Sequence, residues 1–202
     1  MDETRNFLLL RGTVTAEPVL SHENHGHRFY RFPLSVRRLS GQADELWVIA
    51  TQTQLSSFLP LRGRRLEITG QLRSFNNRSG SGNRLVISVF SQTLMPTEAE
   101  DANMIELRGT LCKPPVLRRT PLGRYITDMM VAVNRLYGRA DYLPCIAWGQ
   151  VAMQTGQLHV GSPVALEGRV QSRAYTKITE GEMIERTAYE VSVMHLLEDR
   201  EP

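Results

Sequence analysis

The sequence predicts an all-β protein built from two similar barrels in tandem. Three observations carry that expectation. Short runs of alternating apolar and polar residues are bounded by Gly, Pro and Asn, with only brief helix-like interruptions. The same order of runs occurs twice, and glycines stand inside the runs as well as between them.

The repeat is direct. Asn6 to Val14 (Asn-Phe-Leu-Leu-Leu-Arg-Gly-Thr-Val) matches Asn103 to Leu111 (Asn-Met-Ile-Glu-Leu-Arg-Gly-Thr-Leu). Pro18-Val19-Leu20 matches Pro115-Val116-Leu117, and Gly26 matches Gly123. Leu34, Val36 and Arg38 match Val131, Val133 and Arg135; Gly41 and Asp44 match Gly138 and Asp141; Ile49-Ala50 matches Ile146-Ala147. After a small slip, Gly63, Leu66, Ile68, Gly70 and Ser74 match Gly161, Val164, Leu166, Gly168 and Ser172. Between the copies, Pro96 to Ala102 is acidic and lacks apolar periodicity, so it reads as a linker. The expected division is a first unit over 1–96, a linker over 97–102 and a second unit over 103–202.

In the first unit the alternation predicts strands near 6–20, 27–38, 45–51, 63–74 and 84–94, with a short helix near Gln54 to Leu59. In the second, strands are expected near 103–117, 123–135, 141–148, 162–175 and 186–196, with a helix over Gln150 to Gln157. Five strands with one helix between the third and fourth is the order of the OB-fold barrel. A small sandwich or an SH3-like barrel is the alternative for so many short strands. Gly12, Gly70, Gly109 and Gly168 fall inside strand patterns, where a bulge or sharp coil is the usual reason.

With 202 residues, of which 41% are hydrophobic, the chain can bury a real core and is not of disordered composition. Net charge is +3 and the isoelectric point about 9.1, a mild basic balance that favours polyanions without proving them. Lys113 and Lys177 are the only lysines, so Arg supplies nearly all the positive charge. Arg offers planar stacking and forked hydrogen bonds to phosphate that Lys cannot. Cys112 and Cys145 are far apart and form no CxxC or Cys/His framework, so neither zinc nor a disulfide scaffold is expected. Phe7 to Leu10 is too short for the core of a signal peptide and no apolar run reaches transmembrane length; a soluble cytoplasmic protein is expected.

The stretch Asn134 to Gly149 carries the chemistry. Along its strand, Leu143, Cys145 and Ala147 share one face, while Tyr142, Ile146 and Trp148 share the other. Tyr137 sits at the preceding turn with Arg135 and Arg139 beside it. On the fourth strand, Val164, Leu166, Gly168 and Val170 alternate inward; Glu167, Arg169, Gln171 and Arg173 alternate outward and lead to Tyr175. Rings and guanidinium groups on one face suit unpaired bases. Every base has a π-face, stacking contributes about 1–3 kcal/mol per base, and Arg adds phosphate contacts and cation–π attraction. Near the first turn, Arg118, Arg119 and Arg124 read equally as solvated surface or phosphate contacts.

The second unit resembles bacterial single-stranded DNA-binding proteins of the SSB family. The resemblance runs through Asn103 to Leu111, Pro115 to Gly123, Ala132 to Arg135, Tyr142 to Gly149 and Gly161 to Tyr175. It covers essentially all of that unit and reaches the first only through the repeat. Carried over position by position, it implies base stacking at Tyr137, Tyr142, Trp148 and Tyr175, with phosphate contacts expected at Arg135, Arg139, Arg169, Arg173 and Lys177. In that family several OB folds work together, usually by oligomerising; a tandem chain that dimerises would give four. Family members commonly end in a flexible tail with an acidic tip that recruits other enzymes. Here the sequence ends Leu197-Glu-Asp-Arg-Glu-Pro202, so that role is not expected.

The first unit departs from the pattern. Ser40, Glu45 and Thr51 stand where the second unit has Tyr137, Tyr142 and Trp148. Arg31 and Arg37 point outward on its second strand, and Phe29, Trp47 and Phe75 offer rings away from the family positions. Arg31, Arg37 and Phe75 form a possible secondary DNA-binding set, and Trp47 suits a base or a subunit contact equally. The unit is either a weaker electrostatic binder that lengthens the DNA path or mainly an assembly partner.

His22, His25 and His27 lie in a turn without a Cys or a spaced acidic partner, so no metal is expected. The loop Phe75 to Asn83 has glycines but not the order of a phosphate loop; it reads as a hairpin tip near DNA. With no nucleophile–base–acid set and no nucleotide fingerprint, the expectation is a non-enzymatic binder without cofactor. It would bind single-stranded DNA in replication, repair or recombination. The alternatives are a protein-interaction module of primosome-adaptor type and an RNA or cold-shock-type binder.

Overall fold

The computed structural model describes residues 5–77, 83–179 and 182–198, with the side chains of residues 137, 177–179 and 182 outside that description. Residues 78–82 of the expected loop tip and the last four residues lie outside the described residues.

The first repeat forms β1 (Asn6–Val14), β2 (Val19–Asn24), β3 (His27–Arg37), β4 (Ala43–Thr51), α1 (Gln52–Leu55), β5 (Arg65–Asn76) and β6 (Leu85–Pro96). The second forms β7 (Ala102–Leu111), β8 (Val116–Arg119), β9 (Tyr125–Asn134), a single 3-10 turn at Leu136–Gly138, β10 (Ala140–Trp148), α2 (Gly149–Thr155), β11 (Pro163–Thr179) and β12 (Glu182–Leu196). The long opening strand expected in each repeat is broken in two. Pro18 lies in the first break, and Pro114 and Pro115 in the second; a residue without an N–H cannot continue the ladder. Both helices begin earlier than expected and are shorter: α1 stops at Leu55 and α2 at Thr155. The last two strands run past their expected inner ends, because they continue pairing as a long hairpin out to Thr179 and Glu182.

Strand neighbours close each repeat on itself. In the first, β1 neighbours β5, β5 neighbours β6, β6 neighbours β4, β4 neighbours β3, and β3 returns to β1. The pair β4–β6 is parallel, with Val48 opposite Val89, and the return pairs Thr13 with Ser35. In the second, the same circuit runs β7, β11, β12, β10, β9 and back to β7, with β10–β12 parallel and Cys145 opposite Val191. This is the OB-fold plan, written twice. β2 and β8 are short extensions paired to β3 and β9.

Period-two alternation fills each barrel. Along β1 every second residue from Asn6 to Val14 is buried, and along β5 every second residue from Leu66 to Ser74. Leu10, Leu34, Val48 and Ile68 in the first barrel are fully buried, as are Leu107, Val131, Leu143 and Leu166 in the second. Removing such side chains from water, at about 25 cal/mol per Å² of apolar surface, is the main favourable term. Gly70 and Gly168 are where two strands approach too closely for a side chain. A Cβ would overlap the Phe90 carbonyl oxygen at Gly70 and the Ser192 carbonyl oxygen at Gly168. At Gly168 the β11–β12 register also shifts, which is the bulge expected there.

The helices are seated by named bonds. Thr51 caps α1: its hydroxyl accepts from the Gln54 N–H at 3.3 Å, and the Gln54 side-chain oxygen accepts from the Thr51 N–H at 2.8 Å. In the second repeat the buried Thr127 hydroxyl donates to the Ala152 carbonyl of α2 at 2.7 Å.

Tertiary contacts divide the chain into two compact bodies that do not follow one cut in the sequence. The larger comprises Met1–Asn6, Ser74–Val86 and Ile105–Pro202; the smaller comprises Phe7–Arg73 and Ile87–Met104. Residues 97–101 of the acidic join have no regular structure, yet the segment is tied down within the smaller body. Asp101 accepts from the Arg37 N–H at 2.7 Å and pairs with the Arg65 guanidinium at 2.7 Å.

Candidate nucleic-acid interface

β10 positions the central rings. Its burial alternates as expected for one wall of a barrel: Leu143, Cys145 and Ala147 are buried, while Tyr142 and Trp148 are 46% and 44% exposed. Ile146, on the same outward face, is buried at 6%, so the ring-bearing face is not exposed throughout. The strand is held by a continuous antiparallel ladder to β9, from Tyr142 opposite Ala132 to Trp148 opposite Ile126. Trp148 is also the residue before α2 and makes no side-chain cap there. Its first-repeat counterpart, Thr51, is occupied in capping α1. The missing ring of the first repeat therefore has a structural explanation at this position.

Tyr175 lies on β11 opposite Arg186 and is partly exposed. Its hydroxyl donates to Asn83 Oδ1 at 3.2 Å, and Asn83 Nδ2 donates to the Thr187 carbonyl at 2.7 Å. Tyr137 has its backbone in the 3-10 turn before β10, but its side chain lies outside the described residues, as does that of Lys177.

The expected cations separate into two groups. Arg139 and Arg173 are exposed and Arg169 is partly exposed on the outward side of β11. Arg173 lies 3.8 Å from the Glu190 carboxylate with its own side chain 61% exposed, a loose pairing that leaves it open to water. Arg135 is different. Its guanidinium grips both oxygens of the buried Asp141 and donates to the Ser74 carbonyl at 3.0 Å. That engagement ties Arg135 to the turn, with 24% of its side chain still exposed. The signal was in the repeat: Arg38 and Asp44 have the same spacing in the copy that lacks the rings.

Sequence reasoning met Ser74 only as a repeat match and Asn83 only as the end of a loop, and gave neither a part in the site. The Ser74 N–H donates to Asp141 at 2.5 Å, and its hydroxyl accepts from the Tyr142 N–H at 2.8 Å. Both residues belong to the first repeat in sequence but to the larger body in space. Phe75, the residue after Ser74, is 52% exposed.

Among the remaining arginines near the first turn of the second repeat, Arg118 pairs with Asp128 at 2.7 Å. Arg119 lies 5.3 Å from the Tyr125 ring centroid and donates to the Gly123 carbonyl at 3.0 Å. Both are thus partnered surface groups, and Arg124 is exposed. In the smaller body, Arg31 is exposed and lies 5.3 Å from the ring centroid of Trp47. Arg37 is exposed, and Glu45 is exposed and accepts from the Thr15 hydroxyl at 3.2 Å. His22 stacks on Phe29 at 4.8 Å, which in turn tilts against Phe90 at 6.0 Å. No cluster of three His, Cys, Asp or Glu residues with metal-binding geometry occurs among the described residues. No helix among them is long and apolar enough to cross a membrane.

Comparison with known proteins places this geometry in context. The model of the "Single-strand binding protein family" matches residues 102–197. "Single-stranded DNA-binding protein 2" of Listeria innocua is 31% identical over 105 residues, covering 48% of this chain and 65% of that protein. "Single-stranded DNA-binding protein B" of Bacillus subtilis is 36% identical over 80 residues, covering 36% of this chain and 71% of that protein. The match to the Listeria protein, like that to a Halalkalibacterium halodurans relative of which 62% is covered, spans less than two thirds of the relative's length. The crystal structure of the wild-type single-stranded DNA binding protein from Thermus aquaticus aligns over 98% of this chain and 94% of that one, with a TM-score of 0.78 at 23% identity. That last likeness speaks to the fold.

Proposed function

This chain belongs to the single-strand binding protein family, and on that premise we propose that it binds single-stranded DNA, without catalysis and without strong sequence preference. The observation that carries the proposal is the pair Tyr142 and Trp148. Two large rings stand about half exposed at the two ends of one barrel strand whose opposite face is closed core. Both rings are open to a ligand from outside the barrel. Stacked bases would cover them, each contributing about 1–3 kcal/mol. Tyr175 and Tyr137 complete the stacking set. Arg139, Arg169, Arg173 and Lys177 supply the phosphate contacts, and Arg135 acts by holding the turn.

The first repeat is a secondary electrostatic surface, with Arg31 and Arg37 exposed and ring positions given over to Glu45 and to the capping residue Thr51. Two copies of the chain would assemble four OB folds along one strand of DNA. Replication, repair or recombination intermediates are the natural substrates, and the cytoplasm or nucleoid the site of action.

The deciding experiment is a salt-titrated comparison of oligo(dT), duplex DNA and RNA, run on the wild type and on Trp148→Ala. We expect the order oligo(dT) over RNA over duplex, a steep fall in affinity with salt, and a loss of about five- to a hundredfold in the variant at fixed salt. Equal affinity of a folded Trp148→Ala chain would remove the ring surface from the mechanism. Absence of any salt-dependent DNA binding would favour a protein-interaction module instead.

A further inference from the structure

The hairpin formed by the end of β5 and the start of β6 is encoded in the first repeat but packs in the larger body, against the strands that carry the exposed rings. Two sets of bonds fix it there. On the outgoing strand Ser74 is held three ways: its N–H by Asp141, its carbonyl by Arg135 and its hydroxyl by the Tyr142 N–H. On the returning strand Asn83 bridges the Tyr175 hydroxyl and the Thr187 carbonyl. The stem between them is closed by the Asn77 N–H donating to the Arg84 carbonyl at 2.7 Å.

This arrangement reaches two members of the stacking set, Tyr142 and Tyr175. Phe75 follows Ser74, so its backbone is about 3.8 Å further along a chain already bonded to Tyr142. Its ring is 52% exposed, and Tyr142, whose N–H is bonded to the preceding Ser74, is 46% exposed. Asn83 meets Tyr175 at its only polar handle, which fixes the ring without covering it. By the internal repeat, Phe75 aligns with Arg173, so no ring stands at the matching place in the second repeat.

We propose that two stem residues of this hairpin work in the single-strand surface of the larger body: Phe75 is an additional stacking ring next in sequence to the residue that bonds the Tyr142 backbone, and Asn83 is the positioning residue for Tyr175. The inference rests on the single-strand-binding reading given above. It assigns the first repeat a direct role in the second repeat's site, apart from any binding by the first barrel's own face. The ligand is an unpaired nucleic-acid strand, with one further base held at Phe75.

The test uses the full chain and oligo(dT) at fixed salt, with folding checked by circular dichroism and thermal melting. Phe75→Leu keeps an apolar side chain but removes the π-face; Phe75→Trp keeps the π-face. We expect a five- to tenfold loss for Phe75→Leu and wild-type affinity for Phe75→Trp. For Asn83, the expected result is a threefold or larger loss in Asn83→Ala that disappears when Tyr175→Ala is already present, because the effect passes through that ring. Equal affinity of Phe75→Leu and wild type, or an Asn83→Ala loss that adds fully to that of Tyr175→Ala, would overturn the inference. Trp148→Ala, measured alongside, separates the levels. If it weakens binding while Phe75→Leu and Asn83→Ala do not, the hairpin role alone fails. If it too has no effect, the single-strand reading fails with it.

Discussion

Asp44 and Arg38 are joined by two parallel bonds, Nε to Oδ2 at 2.7 Å and Nη2 to Oδ1 at 2.6 Å, and the Asp44 side chain is wholly buried while the Arg38 side chain is 23% exposed. The pair sits under the turn between β3 and β4, where the Arg38 N–H also meets the Gln42 carbonyl at 2.7 Å. Arg135 and Asp141 repeat it under the turn between β9 and β10, with the Arg135 N–H meeting the Arg139 carbonyl at 2.7 Å. A forked Arg–carboxylate pair fixes direction as well as distance, so each turn is held by its own clamp.

Breaking one clamp should therefore be costly. In Asp44→Ala the guanidinium loses this forked carboxylate in a partly dry site. A loss of about 3 kcal/mol is expected, the low end for a broken buried pair because Arg38 retains some water. Urea unfolding of the variant against wild type measures it. A change under about 1 kcal/mol would show that the turn holds without the pair.

Gly168→Ala should destabilise through overlap with the Ser192 carbonyl oxygen and the Val191 methyl group. The obstruction includes backbone of the paired strand, which cannot rotate away as a flexible side chain could. Overpacking of this kind costs about 1–3 kcal/mol, readable as a lower midpoint in thermal melting. A variant as stable as wild type would mean that the β11–β12 crossing relaxes more easily than its register shift implies.

The two thiols should behave differently. Cys145 is buried on β10, and burial pushes its thiol well above the usual range, with Glu190 adding to the rise. Cys112 is partly exposed and only raised by its own partial burial. Because the thiolate is the reactive form, a disulfide reagent at pH 8 should label Cys112 slowly and leave Cys145 untouched until the chain is unfolded. Counting labelled thiols per chain before and after denaturant decides it. Two rapidly labelled thiols in the native protein would contradict the burial of β10.

Much of this was legible in the sequence because it depends on local periodicity. The inward set Leu143, Cys145 and Ala147, and the outward rings Tyr142 and Trp148, follow from alternation alone. So do the in-strand glycines, whose missing side chains mark close strand crossings. What sequence reasoning missed depends on residues distant in the chain. Ile146 has an outward phase but is buried, since tertiary packing can cover a face that alternation leaves open. The Arg135 bond to the Ser74 carbonyl was not legible because Ser74 is far away in sequence, and the repeated Arg–Asp spacing was read as alignment rather than as a bonded pair. Ser74 and Asn83 carry no local pattern; a serine and an asparagine near a turn are common for many reasons. Breaks at Pro18 and at Pro114-Pro115 were readable, but the alternation on either side bridged them.

The path of the backbone has one last consequence. The chain passes from one compact body to the other at Asn6/Phe7, Arg73/Ser74, Val86/Ile87 and Met104/Ile105, so β5 and β6 each have residues in both. Cleaving the acidic join would not yield two self-sufficient halves. A fragment ending at Pro96 would retain Ser74 and Asn83 but lose Asp141, Tyr142, Tyr175 and Thr187, leaving the hairpin's hydrogen-bonding groups orphaned. Such a fragment would seek replacements from another molecule, and protease-nicked protein should remain together on a sizing column until denaturant is added.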